Sequence, residues 1–137
     1  MKKFKKTSLA LLTTMLLAGG SVTVYAAESF SLTMMPTINT VKDSPAYTKS
    51  IETNGAFVKI SDATYNSSTI NVQVYKKYPD IPVSQSQNIS TYDRNRHTLS
   101  YNGDYGRQSF SAYLKASHSA DNCPAYSYVT INWNPNG

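Results

Sequence analysis

Two stretches near the C-terminus alternate between apolar and polar residues, and that period of two constrains what the chain can fold into. Over residues 107–115, Phe110, Ala112 and Leu114 fall on one side, and Ser109, Ser111, Tyr113 and Lys115 on the other. Over residues 125–133, Val129, Ile131 and Trp133 oppose Tyr126, Tyr128, Thr130 and Asn132. Successive side chains of a β-strand point to opposite faces, so each stretch reads as a strand with one buried side. The polar segment 117–124 lies between them, and the two strands are expected to pair as a hairpin. With Ala116 opposite Ala125, Leu114 faces Ser127, Ala112 faces Val129 and Phe110 faces Ile131, while Tyr113 meets Tyr128 on the other face. Aromatic cross-strand pairs contribute about 0.2–1 kcal/mol each. A slip of one residue would turn one apolar set outward.

The same period recurs upstream. Phe30, Leu32 and Met34 share a face, and Pro36 ends that strand because proline cannot donate to a ladder. Residues 47–52 read as a strand, and Thr53-Asn54-Gly55 as a hairpin turn into a strand over 56–65. Ile70, Val72 and Val74 oppose Asn71, Gln73 and Tyr75. Lys76, Lys77, Pro79 and Pro82 then suit a guarded sheet edge or an exposed loop. Residues 84–93 are polar and irregular. A short strand carries Leu99, and the turn 102–106 feeds the strand at Ser109, which suggests a three-stranded meander. No segment holds a helical period. Seven to eight short strands between turn signals indicate an all-β chain, a single antiparallel β-sandwich.

The N-terminus reads differently. Lys2, Lys3, Lys5 and Lys6 precede an apolar run over 9–18, which is too short to span a bilayer well. Residues 1–26 therefore read as a signal peptide cleaved between Ala26 and Ala27, with residues 27–137 as the β-sandwich domain. No cysteine follows 17–19, so there is no lipoprotein box, and no second apolar run offers a membrane span once the signal is gone. The expectation is a secreted, extracellular protein, released or held to the cell wall by non-covalent contacts. Of 13 basic and 8 acidic residues, four basic ones lie in the signal, which leaves residues 27–137 at +1. A nearly neutral domain loses the electrostatic footprint of nucleic-acid binding, and no nucleic-acid partner is expected. Cys123 is the single cysteine, so no intramolecular disulfide forms and stability must come from sheet packing.

No catalytic constellation stands out, and the chain reads as a non-enzyme without cofactor or metal. Cys123 lies near His118 and Asp121, but without a cysteine-hydrolase signature; a free thiol or an intermolecular disulfide is the plainer reading. His97 and His118 lack metal-ligand spacing and read as two exposed polar side chains. Asp62, Asp80, Asp93, Asp104 and Asp121 sit mostly in turns, where carboxylates accept backbone N–H groups. Arg94, Arg96, His97 and Arg107 form a candidate basic rim for a phosphate or an acidic glycan, or a solvated edge. Tyr113, Tyr126 and Tyr128, with Asn132 and Lys115 near them, form a candidate ligand-binding face. Flat aromatic rings with amide and hydroxyl neighbours can hold sugars or peptides. Trp133 shares the side of Val129 and Ile131 and belongs to the core.

Phe30-Ser31 after the signal, Thr48-Lys49-Ser50 followed by residues 56–60, and the ending over 126–136 with its Trp-x-Pro resemble a family of small secreted Firmicutes proteins. That family has no assigned activity and is often encoded near bacteriocin-type export or immunity genes. Asn132, where the family pattern has glycine, and the longer segment 76–93 depart from it. The resemblance implies a Gram-positive source, secretion, a β fold and an unassigned function, and it carries over no functional residue. Together these readings point to a secreted binding or interaction protein of the cell envelope, its partner a cell-wall glycan or an envelope or extracellular protein. The alternatives are a carbohydrate-binding module that uses the tyrosine face, or a bacteriocin-like secreted protein. The oligomeric state is left open.

Overall fold

The computed structural model describes residues 27–35, 39–64, 68–118 and 127–137. Residues 1–26, expected as a signal peptide with its cleavage site after Ala26, and residues 119–126, with Asp121, Cys123 and Tyr126, lie outside the described residues. Two antiparallel sheets pack face to face. The first has the order β1-β10-β4-β8, built from β1 (Glu28–Met34), β10 (Ser127–Asn134), β4 (Gly55–Ala63) and β8 (His97–Ser100). The second is centred on β9 (Phe110–His118) and β5 (Thr69–Lys76). Its edges are each split in two: β2 (Thr40–Asp43) and β3 (Tyr47–Lys49) share the outer side of β9, while β6 (Ile81–Pro82) and β7 (Gln87–Ser90) share that of β5. The all-β sandwich expected from the alternation is what forms.

The core is the set of inward positions of both sheets. Leu32, Met34, Val58, Ile60, Val129, Ile131 and Trp133 meet Ile70, Val72, Val74, Ala112, Leu114 and Ala116, each at most 1% exposed. Burying one large aliphatic side chain stabilises by about 1.5–3 kcal/mol, so these positions dominate the fold. Trp133 is core as expected, with the Tyr47 ring edge-on at 5.8 Å.

The expected pairing of the last two strands does not occur. β10 lies between β1 and β4, and β9 lies between β5 and the β2/β3 edge. The two strands belong to opposite sheets, and their apolar sides look at each other across the core. Alternation fixes which face is buried; it does not choose a neighbour. Tyr113 is therefore opposite Tyr75 in its ladder, not Tyr128. The meander fails for the same reason: a 3₁₀ turn (Gly103–Arg107) carries the chain from β8 in one sheet to β9 in the other, with Gly103 at φ +49°. Asn54-Gly55 is likewise a crossover, not a hairpin. Gly55 is small because β8 passes close; a Cβ there would sit 2.6 Å from the Leu99 carbonyl oxygen.

Both crossovers are tied together by Lys49, a residue with no exposed surface. Its Nζ donates to the carbonyl oxygens of Ile51 at 2.7 Å, Gly106 at 2.7 Å and Gln108 at 3.0 Å. The Tyr101 and Phe110 rings lie 5.2 and 5.7 Å from the same atom. An ammonium has three protons and here each meets an oxygen. Burial pulls the pKa of Lys49 below its ordinary value, and the charge of Glu52 partly opposes this. The C-terminal residues close the hub: Asn136 Oδ1 accepts from the backbone N–H groups of Ser50 and Ile51, and the Tyr101 hydroxyl donates to the Pro135 carbonyl. Lys49→Met keeps the aliphatic stem but takes this donor from three carbonyls, of which Gly106 alone retains another, the Thr53 N–H, and should destabilise the protein by about 2 kcal/mol or more. The shift of the urea midpoint measures this; an unchanged midpoint would show that the carbonyls have other donors.

His118 is not exposed, contrary to the sequence reading. It ends the inward row of β9 and is 4% exposed, because the row Phe110, Ala112, Leu114, Ala116 carries it into the core. Neither ring nitrogen has a hydrogen-bond partner, and nor does the buried hydroxyl of Thr40, its ladder partner on β2. Burial lowers its pKa below 6.5. As pH falls through about 6.5 the unfolded chain binds the proton first, so stability falls with acidification, by at most about 1.4 kcal/mol per pH unit from this group. Denaturant midpoints from pH 7 downward should fall more steeply for the parent than for His118→Phe; parallel profiles would contradict the assignment.

Candidate cleft over Tyr113

The outer side of the second sheet carries an aromatic pair. Tyr75 and Tyr113 stack at 5.5 Å and 25°, and Lys115 Nζ sits 4.2 Å from the Tyr75 ring centre. Residues 77–80, which follow β5, fold over the pair, and the Tyr113 phenol donates to an Asp80 carboxylate oxygen. Burial, then the hydrogen bond that the phenol gives to Asp80 and the charge of that carboxylate, hold the phenol well above its ordinary pKa.

The facing wall is the break between β2 and β3. Ser44 keeps the ladder intact there: its N–H donates to the Leu114 carbonyl at 2.8 Å, and its Oγ accepts from the Leu114 N–H at 2.9 Å. The hydroxyl proton goes to the Pro45 carbonyl at 2.8 Å. Pro45 has no N–H, so the edge bends away and the space beyond stays open. Between the walls lies a cleft of about 420 Å³, lined by Asp43, Pro45, Lys77, Tyr78 and Asp80 with Tyr113 as its floor. That falls within the usual range of small-molecule sites, about 300–1,000 Å³.

The structure separates the residues that the sequence grouped. Tyr113 is only 7% exposed and serves as a pillar, whereas Tyr128 is 51% exposed on the outer side of the other sheet. They form no common platform, because β9 and β10 are in different sheets. Asn132 shares the outer side of β10 with Tyr128 and Thr130 and lies 3.5 Å from the Ser61 hydroxyl. The basic rim also divides. Arg94 donates to the Thr91 carbonyl, and Arg96 covers the Phe57 ring at 4.4 Å. Arg107 lies beyond the other end of β8, 3.4 Å from Glu52, with both side chains mostly exposed. Such an exposed pair contributes little. His97 bridges Gln87 and Asp93, at 3.1 Å and 2.9 Å.

The exposed ring of the site, Tyr78 at 75%, has no periodic signal in the sequence. The Lys77-Tyr78-Pro79-Asp80 cluster after a strand was its only trace. Among the described residues no three histidine, cysteine or acidic side chains gather to hold a metal ion, and no helix is long and apolar enough to cross a membrane. No protein-family model, curated protein or solved structure matches the chain.

The cleft depends on the Tyr113–Asp80 bond, which anchors its outer wall. Tyr113→Phe keeps the stacking on Tyr75 and removes that anchor. It should cost about 1.5–3 kcal/mol, as expected for a hydrogen bond to a charged acceptor, and should speed proteolysis within 77–80. Unchanged stability and cleavage would mean the wall stands without it.

Proposed function

We propose that this chain is a secreted, non-enzymatic binding protein of a Gram-positive cell envelope, and that its ligand is a sugar unit of a wall glycan held in the Tyr113 cleft. One observation carries the reading: an exposed aromatic ring, Tyr78, stands beside two carboxylates, Asp43 and Asp80, in an open cleft of about 420 Å³. A pyranose has an apolar C–H face that packs on a ring and a rim of hydroxyls that donate to carboxylates. Lys77, whose Nζ lies 5.6 Å from the Tyr78 ring, adds a donor for a ring oxygen or an acetamido carbonyl.

The non-enzymatic part of the reading rests on the same residues. The Ser44 hydroxyl already accepts from Leu114 and donates to Pro45. Asp80 is engaged by Tyr113. Among the described residues no histidine lines the cleft to activate a nucleophile. Secretion is supported by the basic, then apolar, then small-residue order of 1–26.

Co-sedimentation of the purified protein with Gram-positive sacculi tests the proposal. Saturable binding is expected, and Tyr78→Ala and Asp43→Asn should each weaken it about tenfold or more, roughly 1.4 kcal/mol, without changing the fold. Absence of binding by the parent would reject a wall glycan. Equal binding by both variants would move the ligand away from this cleft.

A further inference from the structure

Among the described residues the sandwich has four sheet edges, and three are closed by identifiable devices. The outer side of β8 is stitched to the second sheet: Ser84 bridges Tyr101, the Gln85 N–H donates to the Ser100 carbonyl at 3.1 Å, and the Asn102 N–H donates to the Val83 carbonyl at 2.9 Å. The β2/β3 edge is broken at Ser44-Pro45. The β6/β7 edge carries Pro82 and is broken again at Ser84, whose Oγ accepts from the Val74 N–H at 2.9 Å. Short strands, prolines and breaks are how folded proteins keep sheet edges from pairing with other chains.

β1 has none of these. It runs seven residues in unbroken register against β10 and contains no proline and no lysine. Among the described residues β10 is its only strand partner. We propose that β1 pairs antiparallel with β1 of a second copy of this chain, about a twofold axis at Ser31, to give one continuous sheet of eight strands.

The sequence of β1 is compatible with this partner and sets the register. Directly opposed residues lie on the same face of an antiparallel pair, so the residue numbers of each pair must sum to an even value. Centring on Ser31 is the even register that engages all seven residues. It sets Phe30 against Leu32 on the core side, and Ser31 against Ser31 and Ser29 against Thr33 on the outer side. Glu28, the only charge of β1, then faces Met34 of the other copy, so the two carboxylates sit at opposite ends of the ladder. The register works whichever parity of backbone groups faces outward, since both parities find self-consistent partners. The Ser31 and Thr130 hydroxyls already lie 3.4 Å apart, and the added strand would extend that row. Such an isologous, closed contact is the commonest form of a protein dimer.

Sedimentation equilibrium of the purified protein, in reductant so that Cys123 cannot link copies, tests the proposal. The apparent mass should rise from one copy to two between low micromolar and several hundred micromolar protein. Ser31 is exposed, so Ser31→Lys and Ser31→Glu should each keep the parental far-UV spectrum and stay monomeric, because like charges meet on the axis. An equimolar mixture of the two should regain the dimer mass. A parent that stays monomeric throughout overturns the proposal and leaves the edge to a strand from another protein. A Ser31→Lys variant that still dimerises, or a mixture that does not, overturns the Ser31 axis.

Discussion

An ammonium group without a carboxylate holds this molecule together. Lys49 Nζ collects three carbonyl oxygens from the two segments that carry the chain between sheets, 50–54 and 101–109. Those oxygens lie beyond the ends of their ladders, and Lys49 supplies the donor that the sheet does not. An apolar side chain in that place would fill the space and leave the Ile51 and Gln108 oxygens without this donor. A surface lysine could not reach them. The same Gly106 carbonyl also accepts from the Thr53 N–H, and Asn136 fixes Ser50 and Ile51 from the C-terminal side. The sheets supply the area of the core, while this hub sets how they are connected.

The two breaks in the edge strands have a common design. Val74 and Leu114 are ladder partners at the centre of the second sheet, and each turns its N–H outward to a serine hydroxyl, Ser84 on one side and Ser44 on the other. A hydroxyl takes the place of a backbone carbonyl, so the edge can bend without leaving a buried donor unpaired. On the Ser44 side the bend also forms one wall of the cleft. The device that guards the edge and the device that opens the site are thus the same two residues, Ser44 and Pro45.

Most strand positions and their buried faces were legible in the sequence, because a period of two is imposed locally by the backbone. The short edge strands were not: β7, with Ile89 1% exposed, falls in the stretch 84–93 that read as irregular, so the described residues form ten strands and not seven to eight. Ile70, Val72 and Val74 are core as read, and so is Trp133. Neighbours were not legible. β9 and β10 each had a satisfied apolar face and a short intervening loop, and nothing in either pattern distinguishes pairing beside from packing across. Gly55 misled for a related reason: beside asparagine it signals a turn, whereas here it makes room for the Leu99 carbonyl. Lys49 and His118 gave no signal, since a lysine or histidine on a short strand ordinarily faces water. The cleft was half visible. Tyr113 was marked, but its role as a pillar depends on Asp80, more than thirty residues away, folding back over it.

The order of the first sheet has a consequence for how the chain comes into being. One of its two inner strands is β10, the last in sequence, and among the described residues β1, the first, pairs only with it. Neither β1 nor the open side of β4 has a partner until β10 emerges. Contacts of such long sequence separation form slowly and together. A chain arranged this way cannot close its first sheet around a nascent or partly threaded N-terminal part. The first sheet therefore closes late, only once residues 127–134 are free to pair with both β1 and β4.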